Sequence, residues 1–290
     1  MACILRRPFA ILALTLSLLA GASSTRADVD PDSLYAVSHP SLLFDVGDLP
    51  GLKSRVQAGG PPAAAFTFIR NQYLNVYLSA PFDTLYGNDA GQEPVVNLGL
   101  AGYLVDPIDT NALVLGRDFT LWVARNYNVD SDAYYSALRL RTLVIGYDLF
   151  FSFATSAERA EIRAEVANYI TMMTTNTNYD IWLLRPYVSN KSAMVSASLG
   201  MAAIAFAGEI SPSLTADAFA RSDALYDAWK TAHLEDGCYR EGAMYGLWSL
   251  RNLVYYFHAR KRYDGTIYSN DWALREFERW LAYEVDPRGQ

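Results

Sequence analysis

Cysteine is almost missing from this 290-residue chain: Cys3 and Cys238 are the only two, too few for a disulfide framework or a cysteine-built metal site. Histidine is as sparse, with His39, His233 and His258 alone, so a histidine-rich metal centre is not expected and no cofactor is implied. Positive charge is also short. Lys and Arg number 24 against 31 Asp and Glu, a formal net charge of -7, which argues against nucleic acid as a partner. Beyond the first residues no segment approaches the ~20 uninterrupted apolar residues of a membrane span, and no strict sequence repeat is visible.

What is present is a globular composition. Hydrophobic residues make up 51% and charged residues 19%, which excludes disorder, collagen and a coiled-coil rod. Aromatics reach 13%, with 20 Tyr and 6 Trp. That richness suits either a deep helical core or a cleft that stacks sugar rings, and composition does not separate the two.

The N-terminus reads as a secretory signal. Arg6 and Arg7 precede an apolar run over 9–19, and Thr25-Arg26-Ala27 fits a small-x-small cleavage site. The expected organisation is a signal peptide over 1–27, cleaved near Ala27, followed by one domain over 28–290 that is secreted or periplasmic. Cleavage removes Arg6, Arg7 and Arg26 and leaves 21 basic against 31 acidic residues, a mature charge of -10. Cys238 becomes the sole cysteine.

Along the mature chain the apolar period is helical. Helices are predicted over 48–58, 62–78, 95–105, 110–126, 132–153, 156–175, 191–208, 213–235, 241–261 and 271–284. Thr155 or Ser156 ahead of Glu158, Asn190, and Asn270-Asp271 stand where caps belong. Short links between helices of similar length imply consecutive antiparallel hairpins. The fold class is therefore all-α, arranged as a solenoid or, without a visible repeat, as a closed ring of hairpins around a cleft.

Two segments carry chemistry-bearing residues. Ser189-Asn190-Lys191-Ser192 opens a helix of small residues: Asn190 is either a plain N-cap or an amide donating into a cleft, and Lys191 is either a solvated first-turn cation or an anion ligand. The second is Asp236-Gly237-Cys238-Tyr239-Arg240-Glu241-Gly242-Ala243-Met244-Tyr245, a turn running into a helix. Glu241 and Tyr245 are four apart and share a face; a cap and a core side chain is the alternative reading. Arg185 and Arg240 are candidate anion binders, and Trp182, Tyr187 and Trp248 candidate sugar-stacking residues. His233 and His258 sit within helical patterns and read as structural.

In these segments the chain resembles the heparinase II/III-like polysaccharide lyases and their alginate lyase relatives. The resemblance also takes in His39-Pro40-Ser41-Leu42-Leu43-Phe44, Asp48-Leu49-Pro50 and Tyr147-Asp148-Leu149-Phe150, in the same order. It implies an incomplete (α/α) toroid and β-elimination on an anionic, uronic-acid polysaccharide or oligosaccharide. By motif, Asn190 polarises the uronate carboxylate and Tyr245 is base, acid or both, with Lys191, Arg240 and Glu241 in substrate contact. Many members place His directly after the Asn, where this chain has Lys191. Lysine supplies positive charge but is a poor base at neutral pH, which suits a syn elimination run by one tyrosine. The family's C-terminal β-sandwich region is expected to be missing from 28–290.

Two other readings stand beside the lyase. A glycoside hydrolase would need paired carboxylates, for which Asp236 and Glu241 are the pair available. A non-catalytic carbohydrate-binding protein, or a truncated or degenerate enzyme, would need neither. The mature charge of -10 disfavours a highly sulfated substrate by long-range repulsion.

Overall fold

The computed structural model describes residues 39–86, 92–129, 132–176, 190–234, 238–240 and 242–284. These residues are predominantly helical, with helices packing on helices, and among them there is no strand; one isolated antiparallel bridge pairs His233 with Tyr239. The helices are α1 (Leu49–Gln57), α2 (Gly60–Gln72), α3 (Phe82–Tyr86), α4 (Gln92–Tyr103), α5 (Thr110–Asn126), α6 (Ala133–Phe150), α7 (Ser156–Thr175), α8 (Asn190–Ala205), α9 (Pro212–Lys230), α10 (Ala243–Asp264) and α11 (Trp272–Glu284). Each predicted segment overlaps one of them. None of the described helices is long and apolar enough to cross a membrane.

The ends follow local chemistry. At α7 the expected cap is a reciprocal box: Thr155 Oγ1 accepts from the Glu158 amide and the Glu158 carboxylate accepts from the Thr155 amide at 2.7 Å. Asp109 caps α5 and Asp271 caps α11 through their carboxylates. Helix α10 stops at Gly265, whose φ of +79° places it in the left-handed region that lets its amide reach back to the Lys261 carbonyl. Pro61 and Pro62 lie inside the first turn of α2 rather than before it, where missing amides cost nothing.

The chain divides into two compact units, Met1–Asn128 with Thr142–Glu165, and Val129–Arg141 with Val166–Gln290. In the first, α4 and α5 form a hairpin and α5 runs antiparallel to the second half of α6. Phe150 packs against Gly116 and Thr120 against Gly146, so numbers fall on one helix as they rise on the other. Here two motifs distant in sequence meet. The buried Asp148 carboxylate accepts from the Ser41 amide at 2.9 Å, the Leu42 amide at 2.9 Å and Ser41 Oγ at 3.1 Å, and lies 2.7 Å from His39 Nδ1.

In the second unit, α8 packs on both α9 and α10. Helix α8 is buried along nearly its whole length, and its small residues explain how. The Ser196 hydroxyl donates to the Ser222 carbonyl at 2.8 Å and the Ser222 hydroxyl returns a bond to Ser196 at 2.7 Å, tying α8 to α9. Gly200 faces the Tyr256 ring so closely that a Cβ there would lie 2.1 Å from it. The Ser198 hydroxyl donates to the Ala137 carbonyl on α6 at 2.8 Å.

Candidate functional site

The direction of each helix in the second unit follows from its cross-contacts. Helix α9 folds back on α8 after a short link. It runs antiparallel to α10, because Phe219 meets Tyr263 while Tyr226 meets Phe257. Helices α8 and α10 therefore share a direction. The first half of α6 shares it too, since Lys191 meets Asp132 and Ser198 meets Ala137. The N-terminal ends of α6, α8 and α10 thus gather at one end of this unit. Each presents the positive pole of its helix dipole there.

Asn190 is the first residue of α8 and is only 9% exposed. Lys191 follows it half-buried, and its ammonium lies 3.0 Å from the Asp132 carboxylate. Asp132 also accepts from the Tyr134 amide at 2.8 Å, so one carboxylate caps α6 and holds the lysine. Lys191 is therefore neither a solvated cation nor an unmatched one.

Tyr245 lies in the first turn of α10, is 50% exposed, and its hydroxyl is engaged by no hydrogen bond among the described residues. Gly242 precedes this helix with φ of +88°, which lets the chain turn sharply into it. Arg240 is exposed on the turn just before, where its amide donates to the Ala232 carbonyl at 3.2 Å. That bond and the His233–Tyr239 bridge fix the turn to the end of α9. Trp248 stands one turn beyond Tyr245, half-buried, with the Arg251 guanidinium 5.0 Å over its ring. Arg185, Tyr187, Trp182, Asp236 and Glu241 lie outside the described residues, as does the segment 1–27.

Further along α10 the structure adds residues that motif reading passed over. Arg141, on α6, is 1% exposed, bonds to the Asn252 side-chain oxygen and stacks 5.1 Å from the Tyr255 ring centre. Its Nε is buried without a partner, and no carboxylate faces it among the described residues. Burial holds its pKa down to about 10, and burial likewise lowers Arg251. The sequence signal was an arginine within the apolar stretch Leu138-Arg139-Leu140-Arg141-Thr142-Leu143-Val144 of a core helix. His233 is packed among Trp229, Tyr239 and Phe277. Burial lowers its pKa to about 4, so it is neutral and structural at pH 7. No group of three His, Cys, Asp or Glu side chains is placed to hold a metal ion among the described residues.

The arrangement brings a largely buried amide, a half-exposed phenol and an exposed guanidinium to the end where three helix dipoles point. Such an end favours bound negative charge. No protein-family model matches the chain, and no curated protein matches it significantly.

Proposed function

We propose that this protein is a polysaccharide lyase that cleaves a uronic-acid polymer by β-elimination, exported behind the leader-like residues 1–27. One observation carries the reading. Asn190 and Tyr245, 55 positions apart in the sequence, sit in the first turns of two helices that run the same way and start at the same end of the second unit. The runs α4–α5–α6 and α8–α9–α10 each alternate in direction, and such hairpins are the repeating element of an (α/α) toroid. The proposed architecture is an incomplete toroid with these helix starts at its cleft.

The chemistry runs as a syn elimination. The Asn190 amide donates to the uronate carboxylate, and the Arg240 guanidinium together with the positive helix ends stabilises the charge that develops as the C5–H bond breaks. Tyr245, as phenolate, takes the C5 proton. The C4–C5 double bond forms, the C4–O4 bond breaks, and Tyr245 returns the proton to the departing O4. Arg240 rather than Lys191 supplies the main cation, because Lys191 already answers Asp132. That same ion pair favours one second reading, a protein that binds the polymer without cleaving it.

The test is ultraviolet absorbance of the unsaturated product during incubation of the mature chain with a panel of uronic-acid polysaccharides. Absorbance should rise with the native chain, and Tyr245→Phe should slow it by ~10²- to 10⁴-fold. Equal rates in both would remove Tyr245 from the chemistry. Binding without any product, from native protein, would establish the non-catalytic reading.

A further inference from the structure

A fixed positive charge lies beneath the helix starts of the second unit. Arg141 on α6 and its bonding partner Asn252 on α10 each stand little more than two turns after the first residue of their helix, about 12 Å along the axis. Both helices start at the same end, and side chains in a helix lean towards its N-terminus, so the guanidinium leans that way too. Along α10, Tyr245, Trp248, Ser249 and Asn252 follow one face. That face descends from 50% exposed at Tyr245 to 0% at Ser249 and 1% at Asn252, where it meets Arg141.

Nothing in the local packing accounts for a cation at this depth. Among the described residues the groups within its electrostatic reach are the Tyr255 and Tyr134 phenols, neither of them a carboxylate, and its Nε is buried without a partner. Asn252 is nevertheless held in place for it: the side-chain amide donates to the Trp248 carbonyl at 2.7 Å, which aims Oδ1 at the guanidinium. Burial lowers the Arg141 pKa only to about 10, so the charge is present at pH 7. Nearer the helix starts, Lys191 and Asp132 answer each other at 3.0 Å, and Arg240 is exposed, where solvent and salt screen it. On a chain with an acidic excess, an anionic ligand needs local positive potential, and a buried cation loses less of its field to screening than an exposed one.

We propose that Arg141 sets the preference of this end for an anionic sugar, acting from beneath through its field: the carboxylate of a bound uronate is the counter-charge that the fold withholds. The inference deepens the proposed function and rests on it only for the uronate; it holds equally for a protein that binds the polymer without cleaving it. Arg141 touches no ligand atom and is a specificity determinant, not a catalytic residue. A unit charge about 12 Å away across an effective dielectric of about 20 shifts a binding constant by about tenfold.

The experiment titrates the mature chain by saturation-transfer NMR with glucuronate, galacturonate and mannuronate, which carry no sugar on O4 to be eliminated, and repeats the titrations on Arg141→Met and Asn252→Asp. The two changes act oppositely on the contact between α6 and α10: the first removes the tie, and the second gives the guanidinium a carboxylate to hold. Both cancel the field. At least one uronate should bind the native chain saturably with a dissociation constant of order mM, and both variants should weaken it by about tenfold. A purely structural arginine would not make opposite changes in its contact weaken binding alike. Native affinity in either variant, or saturation by none of the three uronates, would overturn the inference. The absorbance assay separates this from the lyase reading: product from the native chain with unchanged uronate affinity in the variants removes Arg141 and leaves the lyase, whereas the two losses without any product keep Arg141 and remove the cleavage.

Discussion

Asp148 in the first unit and Arg141 in the second are both enclosed charges on α6, and the fold treats them in opposite ways. Asp148 is 0% exposed and is met by two backbone amides, a hydroxyl and an imidazole nitrogen. Arg141 is 1% exposed and is met by one amide oxygen and one ring face, with Nε left over. A buried carboxylate supplied with that many donors is a brace: it pins the segment around His39 to the core. A buried guanidinium without a counter-charge is a cost carried by the fold. Among the described residues the same unit also leaves Trp229 Nε1 and His233 Nε2 buried without hydrogen-bond partners.

The contrast breaks most sharply at Asp148. Asp148→Ala strands His39 and two backbone amides in the core and should cost about 3–5 kcal/mol in chemical denaturation; a loss below about 1 kcal/mol would show that the brace is ornamental. Acid should act next, on the second unit. His233 has a folded pKa of about 4, depressed by burial, against 6.5 unfolded, so the unfolded chain takes up the proton first as pH falls. This contribution is complete above about pH 6.5 and erodes to nothing near pH 4, a total of about 3 kcal/mol. Stability measured against pH should fall through that window, and His233→Phe, which keeps the aromatic packing, should flatten the fall. The smallest effect is expected at Arg141. Arg141→Met removes an unmatched buried charge and should change stability by less than about 1 kcal/mol or raise it. A loss near that of Asp148→Ala would make Arg141 a brace as well and erase the difference between the two regions.

Much of the fold was legible because helical periodicity, caps and breaks are local. The 110–126 and 156–175 segments coincide with α5 and α7, whose caps at Asp109 and Thr155 act within three residues. The misses were also local conflicts. The prediction over 62–78 runs through a wider π turn at Tyr73–Tyr77, and the short α3 was not anticipated. The segment 213–235 ends early because residues 231–234 turn away to form the His233–Tyr239 bridge. At the candidate site, the sequence singles out Asn190, Tyr245 and Arg240 through the motif resemblance, and the structure places each at or just before a helix start. It does not single out Asp132: the pairing with Lys191 joins helix starts 59 positions apart, and no pattern in either segment announces it.

By itself the sequence determined that the chain is helical, where most of its helices lie, and that its interior is rich in aromatic and small residues. These are consequences of side-chain period and of backbone capping, which act over a few positions. Only the tertiary structure decided that α8 and α10 start together at one end of their unit, that Lys191 already has a carboxylate, and that Arg141 has none among the described residues. Direction, charge pairing and hydrogen-bond satisfaction depend on which distant elements are packed together. That choice is made by burial and close approach, as where Gly200 admits Tyr256, and not by neighbours along the chain.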